Sequence, residues 1–291
     1  WKIRAKKVIL ATGSIERPLT FDNNDRPGIM LANSASKFLN YYGVKLASEI
    51  VVFTNNDSAY QTAIDFHKKG IKVKAIIDVR SYNESDIIKK AELLGIKIYY
   101  KHAVTNTSGR LKIKSITINE VDNSVKKIIG DPLKIKCDFL CVSGGWTPTV
   151  HLFTQSRGKL KYRDNDGSFI PTQSFQNTVS IGSCNGTFSL SDILDETFIK
   201  VKEALISFDN NIEKDQKYKS KDAKNNQHKH AWLIPSSKHI GKTKMFIDLQ
   251  NDVTAKDIKI ALREGFQSIE HVKRYTTTGM ATDQGKIGNI N

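Results

Sequence analysis

The chain is poor in cysteine, in acidic residues and in long apolar stretches, and each shortage removes a class of protein. Its 291 residues include only three cysteines, Cys137, Cys141 and Cys184. An odd number without CxxC spacing argues against a disulfide scaffold or a cysteine-rich metal site, and fits a reducing compartment such as the cytoplasm. The apolar runs Lys7 to Ala11 and Ile50 to Thr54 fall far short of the roughly 20 residues that cross a bilayer, so no membrane association is expected. No basic stretch leads into an apolar one at the start. The first residue is Trp1 rather than Met, which reads as a start internal to a longer protein and leaves open a leader removed earlier.

Acidic residues number 30 against 45 lysines and arginines, a formal net charge of +15. Such a surplus draws phosphates at low salt. The lysines are scattered among Asn and Ile, however, and no basic helix interleaved with aromatics appears, so the charge reads as a solvated surface and no nucleic-acid partner is expected.

With 39% hydrophobic residues the chain can bury the core of one large or two ordinary domains. Lys7 to Ala11 reads as a buried strand running into a tight turn at Thr12-Gly13. Asn33 to Tyr42 reads as a helix capped by Asn33 or Ser34 and stopped by Gly43. A βαβ unit follows: strand Ile50 to Thr54, helix Asp57 to Lys69, strand Ile71 to Val79. Helix Glu84 to Leu94 and strand Lys97 to Tyr100 extend the same parallel sheet. Between Val104 and Ile135 the alternating runs Leu111 to Glu120 and Val125 to Ile129 predict antiparallel strands. Asp138 to Val142 returns as a buried strand. Short strands are expected at Phe169 and Val179 to Ile181, then a helix from Ser191 to Phe208 capped by Ser191. Asp209 to His230 is nearly devoid of apolar residues and reads as a solvated linker. Beyond it, Met245 to Leu249 reads as a strand, Thr254 to Arg263 as a helix opened by a capping box with Asp257 and closed by Gly265, and Ser268 to Tyr275 as a further helix. The expected division is 1–208, a linker 209–240, and a small domain 241–291.

The βαβ unit invites a test for dinucleotide binding, since glycines in the strand-to-helix turn let backbone N–H groups meet a pyrophosphate. Thr54-Asn55-Asn56-Asp57-Ser58-Ala59-Tyr60 contains no glycine and places an Asp where a phosphate would sit, so it fails. Asp78, at the position of a ribose-binding carboxylate, then reads as a capping or surface residue. Ala11-Thr12-Gly13 is a better candidate, because small residues let backbone approach a nucleotide. Gly182-Ser183, in Ile181 to Gly186, resembles the second glycine turn of two-dinucleotide flavoprotein folds, with Ser183 where an acidic residue is usual. His67 and His102 read as surface or hydrogen-bonded core residues, having no Ser or Cys partner pattern. Cys184 lacks the paired cysteine of a disulfide reductase, and Trp146 reads as packing for its Gly-rich loop.

The segments Ala11 to Pro18, Asn24 to Met30, Val142 to Leu160, Gln250 to Ile258 and His271 to Lys286 resemble the alpha subunits of heterotetrameric sarcosine oxidases, and the likeness spans nearly the whole chain. The resemblance implies a two-dinucleotide-binding, disulfide-reductase-like α/β fold with a parallel sheet and antiparallel strands. A small α+β module related to [2Fe–2S] domains follows it. The resemblance also implies NAD held by this subunit at Ala11, Thr12, Gly13, Gly182 and Ser183. FMN would lie at the interface with beta, FAD in beta, and tetrahydrofolate in a domain placed beyond Asn291. Beta, gamma and delta subunits are the implied partners, and no catalytic residue is expected in this chain. Asp248, Gln250, Thr278 and Asp283 stand near the cluster-ligand places, and such clusters need cysteine, so none is expected. Lys273, Arg274, Thr276, Thr277 and Thr278, with His271, are then candidates to meet a phosphate or the beta subunit; the alternative is that they cap a solvated helix.

Overall fold

The structure, a computed structural model, describes residues 1–208, 218–220 and 229–290. Most of the expected linker, 209–217 and 221–228, lies outside the described residues. Two compact units emerge, one made of Trp1–Ile15 with Trp146–Asn226 and the other of Glu16–Gly145 with Gln227–Asn291.

The larger unit is built on a five-stranded sheet whose strands, in spatial order, are Ile29–Leu31, Phe139–Ser143, Glu49–Thr54, Lys72–Asp78 and Ile98–Tyr100. Every pairing in it is parallel. A strand covered on both faces must be apolar at odd and even positions alike, and Glu49–Thr54 shows why its sequence reads as an unbroken run. Ile50 and Val52 pack with the helices Ala32–Asn40, Ser58–Lys68 and Asp86–Leu93. Val51 and Phe53 face a second core, formed with Ala103, Val104, Ile116 and Ile118. The latter residues belong to a three-stranded antiparallel sheet, His102–Ser108, Ser115–Glu120 and Leu133–Lys136. Val125 to Ile129 is not a strand; only an isolated bridge joins Val121 to Ile128, because Val125 adopts a left-handed φ of 54° that breaks an extended run.

Helix starts are where local signals and tertiary contacts compete. Helix Ala32–Asn40 has Leu31 at its N-cap and no side-chain cap, and the expected Asn33 is instead served from a distance: its N–H donates to Glu16 Oε2 at 2.8 Å. In the final part of this unit, strand Phe246–Asp248 pairs antiparallel with Val253–Thr254, followed by helices Ala255–Arg263 and Ile269–Thr276. There the expected capping box between Thr254 and Asp257 is present.

In the smaller unit Val8–Leu10 pairs in parallel with Thr178–Ser180, Lys159–Arg163 pairs antiparallel with Ser168–Gln173, and a helix runs Leu190–Ile206. Two expectations are corrected. The first strand is not buried within this chain, with Val8 43% and Ile9 38% exposed. The long helix is capped by Ser189, whose hydroxyl accepts from the Asp192 N–H, not by Ser191; Ser189 is extended at ψ 130°, the geometry an N-cap requires.

Candidate functional site

The parallel pairing of Leu10 with Ser180 carries the two small-residue turns of the smaller unit out of their strands side by side. Ala11-Thr12-Gly13 leaves the first strand, and Thr12 is fixed by its hydroxyl donating to Thr149 O at 2.7 Å while Gly13 O accepts from Thr149 N–H at 2.9 Å. Gly13 has φ +74°, and a Cβ built there would lie 4.0 Å from Ser183 Oγ. The structure thus brings Ala11, Thr12, Gly13, Gly182 and Ser183 together. Gly182, at φ +71°, donates its N–H to Glu196 Oε2 at 2.9 Å, and the same carboxylate holds Asn185 Nδ2 at 2.5 Å. The Glu196 carboxylate therefore tethers this turn to the following helix, a role the sequence pattern did not signal. Cys184 is buried, with its Sγ 3.2 Å from both Leu10 O and Ile181 O, and so packs as a structural thiol between the two strands.

At the carboxyl ends of the larger unit's strands, where open α/β sheets bind ligands, the crevice is filled by the protein itself. The Arg80 guanidinium lies 2.7 Å from Asp57 and 2.8 Å from Asp78, and Tyr60 Oη donates to Asp78 Oδ2 at 2.7 Å. Asp78 is fully buried, which corrects its reading as a capping or surface residue: it neutralises Arg80 and accepts from Tyr60. Burial pushes the Asp57 carboxyl up despite Arg80 beside it. Burial also opposes the charge on Arg80, but the hydrogen bond and charge of Asp78 outweigh it and raise the guanidinium further. The segment after the undescribed residues closes over this end: Asn55 Nδ2 donates to Lys229 O at 2.8 Å and Lys229 Nζ to Val79 O at 3.3 Å. With Arg80 already paired to both carboxylates and no glycine to let the backbone approach, this turn does not suit a pyrophosphate.

Glu16 escaped the sequence reading because nothing in a single sequence marks an acid as buried. It is 5% exposed, and burial pushes its carboxyl up to about 7 even though the Asn33 N–H and Ser143 bond to it. A carboxyl raised in the fold prefers its protonated form, so its contribution to stability is complete below the ordinary 4.5 and lost as pH rises through about 7. Glu16→Gln keeps an acceptor for Asn33 and carries no charge. The variant should gain about 2–3 kcal/mol over the parent at pH 8 and little at pH 4, read from denaturant unfolding across pH; an equal difference at both pH values would refute the assignment.

In 242–291, Asp248 joins two loops. Its carboxylate accepts from the Gly279 N–H at 2.8 Å, the Gln250 N–H at 2.8 Å and the Asn251 N–H at 3.0 Å. Burial alone would raise this carboxyl, yet those N–H groups hold it below the usual carboxylate range. A second link runs from Asp283 N–H to Gln250 Oε1 at 3.4 Å. Asp248→Ala should leave these donors without their acceptor and cost about 2–3 kcal/mol, with faster amide exchange at Gly279 and Gln250; unchanged exchange there would count against the clasp. In the neighbouring helix, Thr276 Oγ1 donates to Val272 O at 2.8 Å and Thr277 Oγ1 to Thr276 O at 2.6 Å. Thr278 is buried, and its N–H donates to Thr276 Oγ1 at 3.3 Å. Lys273 and Arg274 lie in the last turn, where the helix dipole favours cations. Among the described residues no ion pair engages either. These residues lie in the larger unit and the glycine turns in the smaller one.

The family model of the sarcosine oxidase A3 domain matches residues 242–291. The sarcosine oxidase subunit alpha of Corynebacterium sp. (strain P-1) is 35% identical over 100% of this chain and 30% of its own length; that of Rhizobium meliloti (strain 1021) is 34% identical over 100% of this chain and 28% of its own. Over its whole length the chain is thus similar to sarcosine oxidase alpha subunits, and residues 242–291 match the A3 domain. It spans about 30% of the length of the curated alpha subunits it matches. Among solved structures, L-proline dehydrogenase from P. horikoshii superposes with a TM-score of 0.64 at 19% identity, over 99% of this chain and 52% of that one. The fold is thereby shared with that dehydrogenase, an α/β fold with the expected parallel sheet and antiparallel strands. The alpha-subunit likeness also gives sense to Asn24 in the Asn24 to Met30 string: its amide donates to Phe246 O and accepts from Phe246 N–H, both at 2.8 Å, tying the start of the sheet unit to the A3-matching region. No described helix is long and apolar enough to cross a membrane.

Proposed function

We propose that this chain is the nucleotide-holding part of the alpha subunit of a heterotetrameric sarcosine oxidase, an oxidoreductase acting on a secondary amine. The observation that carries the reading is the juxtaposition of two small-residue turns, at Gly13 and at Gly182-Ser183, in a chain 35% identical to alpha subunits over its whole length. NAD lies against Ala11, Thr12, Gly13 and Ser183, with Gly182 shaping the second turn. The residues fit such a group: Gly13 leaves its side-chain space empty opposite the Ser183 hydroxyl, so backbone and hydroxyl can both reach a phosphate or ribose. Lys273 and Arg274, with Thr276 and Thr277, face FMN or the beta subunit across an interface, and buried Thr278 supports the loop behind them. FAD resides in beta, and tetrahydrofolate binds elsewhere in the alpha subunit, accepting the one-carbon unit as methylenetetrahydrofolate. The assembled beta, gamma, delta and alpha subunits convert sarcosine to glycine and reduce oxygen to peroxide in the cytoplasm, while this chain supplies no catalytic side chain. In this reading residues 1–208 form the nucleotide-binding part, 209–240 the linker and 241–291 the small domain.

Co-expression of the full-length subunit with its partners, cofactor extraction and a sarcosine-dependent peroxide assay test the reading. NAD, FAD and FMN should be recovered and peroxide formed; a complex without NAD would overturn the role given to this chain. The superposition on L-proline dehydrogenase supports a second reading, in which the complex oxidises proline or a related amine. Proline in place of sarcosine in the same assay separates them.

A further inference from the structure

We propose that the larger unit contains a second small-molecule site, remote in sequence from the glycine turns, that takes a planar aromatic ligand bearing a phosphate or a carboxylate. It is a cavity of about 610 Å³ between the Ser124–Lys126 turn, the stretch from His230 to Ser236, and Ile240, Met245 and Lys259. That volume is within the range of small-molecule sites. Buried Val125, Ile234 and Met245 make the interior apolar. One wall is aromatic and fixed in place: the His230 imidazole stacks on the Trp232 indole with centroids 5.4 Å apart and planes 7° from parallel. The Arg17 guanidinium lies 5.0 Å from the same indole.

Among the described residues the charge lining the cavity is of one sign: Lys126, Lys238 and Lys259 line it, and no aspartate or glutamate does. Lys238 is committed to buried Asp22 at 2.7 Å, whereas among the described residues no ion pair engages Lys126 or Lys259. Ammonium groups beside a low-dielectric cavity attract an anion and repel a cation, while the apolar interior beside the Trp232 indole rewards an aromatic body over a sugar or a peptide backbone with polar groups to satisfy. An apolar ring with an anionic arm meets both demands. The site does not depend on sarcosine being the substrate or on NAD lying at Gly13.

The test titrates the purified full-length protein with FMN, folic acid and riboflavin, following Trp232 fluorescence with the Trp232→Leu variant as the signal control. FMN or folic acid should bind about tenfold tighter than riboflavin, which has the same ring as FMN without the phosphate; whichever anion binds tighter identifies the arm as phosphate or carboxylate. In Lys126→Glu/Lys259→Glu, whose changes lie at exposed positions, that tenfold preference should vanish with riboflavin affinity unchanged. The proposal is overturned if none of the three binds, if riboflavin binds as well as the anions, if the charge-reversed protein keeps the preference, or if only an acidic protein partner saturates the cavity.

Discussion

Arg80→Met should cost about 3–5 kcal/mol, the loss expected when one member of a buried charge network is removed. Among the described residues Arg80 is the cation that pairs with both Asp57 and Asp78, at 2.7 and 2.8 Å, and all three side chains are almost wholly buried. Methionine fills the space of the stem without supplying charge. The two carboxyls would then be left in the crevice at the sheet's carboxyl ends without the cation that pairs with them. The sign with pH follows from Asp57: burial already raises its carboxyl and Arg80 opposes that, so without Arg80 the deficit is largest at neutral pH and shrinks as pH falls towards the ordinary carboxylate range. Denaturant unfolding at pH 4.5 and 7.5, with amide exchange along strand Lys72–Asp78, measures it. Adding Asp57→Asn and Asp78→Asn to the variant should restore much of the loss. A variant as stable as the parent at neutral pH would show that the triad carries no net energy.

Gly13→Val should lower the NAD content of the assembled complex by tenfold or more while leaving FAD in the partner subunit in place. Two effects act together. At φ +74° a β-branched residue is strained by about 1–3 kcal/mol, and its methyl groups project into the space opposite Ser183 where the nucleotide is proposed to lie. Ser183→Ala separates the two, because it leaves the backbone relaxed and removes only a hydroxyl; about 0.5–1.5 kcal/mol of binding, roughly two- to tenfold in affinity, should go with it. Quantified NAD per complex after extraction decides the matter, with FAD as the internal control. Full NAD occupancy in Gly13→Val would remove the turn from the nucleotide site.

The chain's periodicities were sufficient for four of the five strands of the parallel sheet, Ile29–Leu31 being the one they did not mark. Apolar runs such as Ile50 to Thr54, ended by turn residues and alternating with helical patterns, have few other solutions than strands buried on both faces. The Thr254 capping box was equally legible, since its partners stand three residues apart and satisfy each other locally. Where the cap comes from a distant residue, local reading fails: the first turn of helix Ala32–Asn40 is served by Glu16, 17 positions before Asn33, and a cap at Asn33 or Ser34 was the natural but incorrect expectation.

The candidate site divides in the same way. Small residues at Ala11 to Gly13 and Gly182-Ser183 are visible in the string because their value is steric and local, and the absence of glycine from Thr54 to Tyr60 is as plain. Sequence alone therefore fixed the fold class, the two turns and the likeness. Only the tertiary structure decided that Gly13 lies opposite Ser183, that Arg80 fills the other crevice between Asp57 and Asp78, that Glu16 is buried and raised to about 7, and that one-sided charge surrounds the cavity beside Trp232. The physical reason is that secondary structure follows from backbone hydrogen bonds and apolar spacing within a few residues. The energy of a charge depends instead on the dielectric and on partners that the chain brings from far along its length.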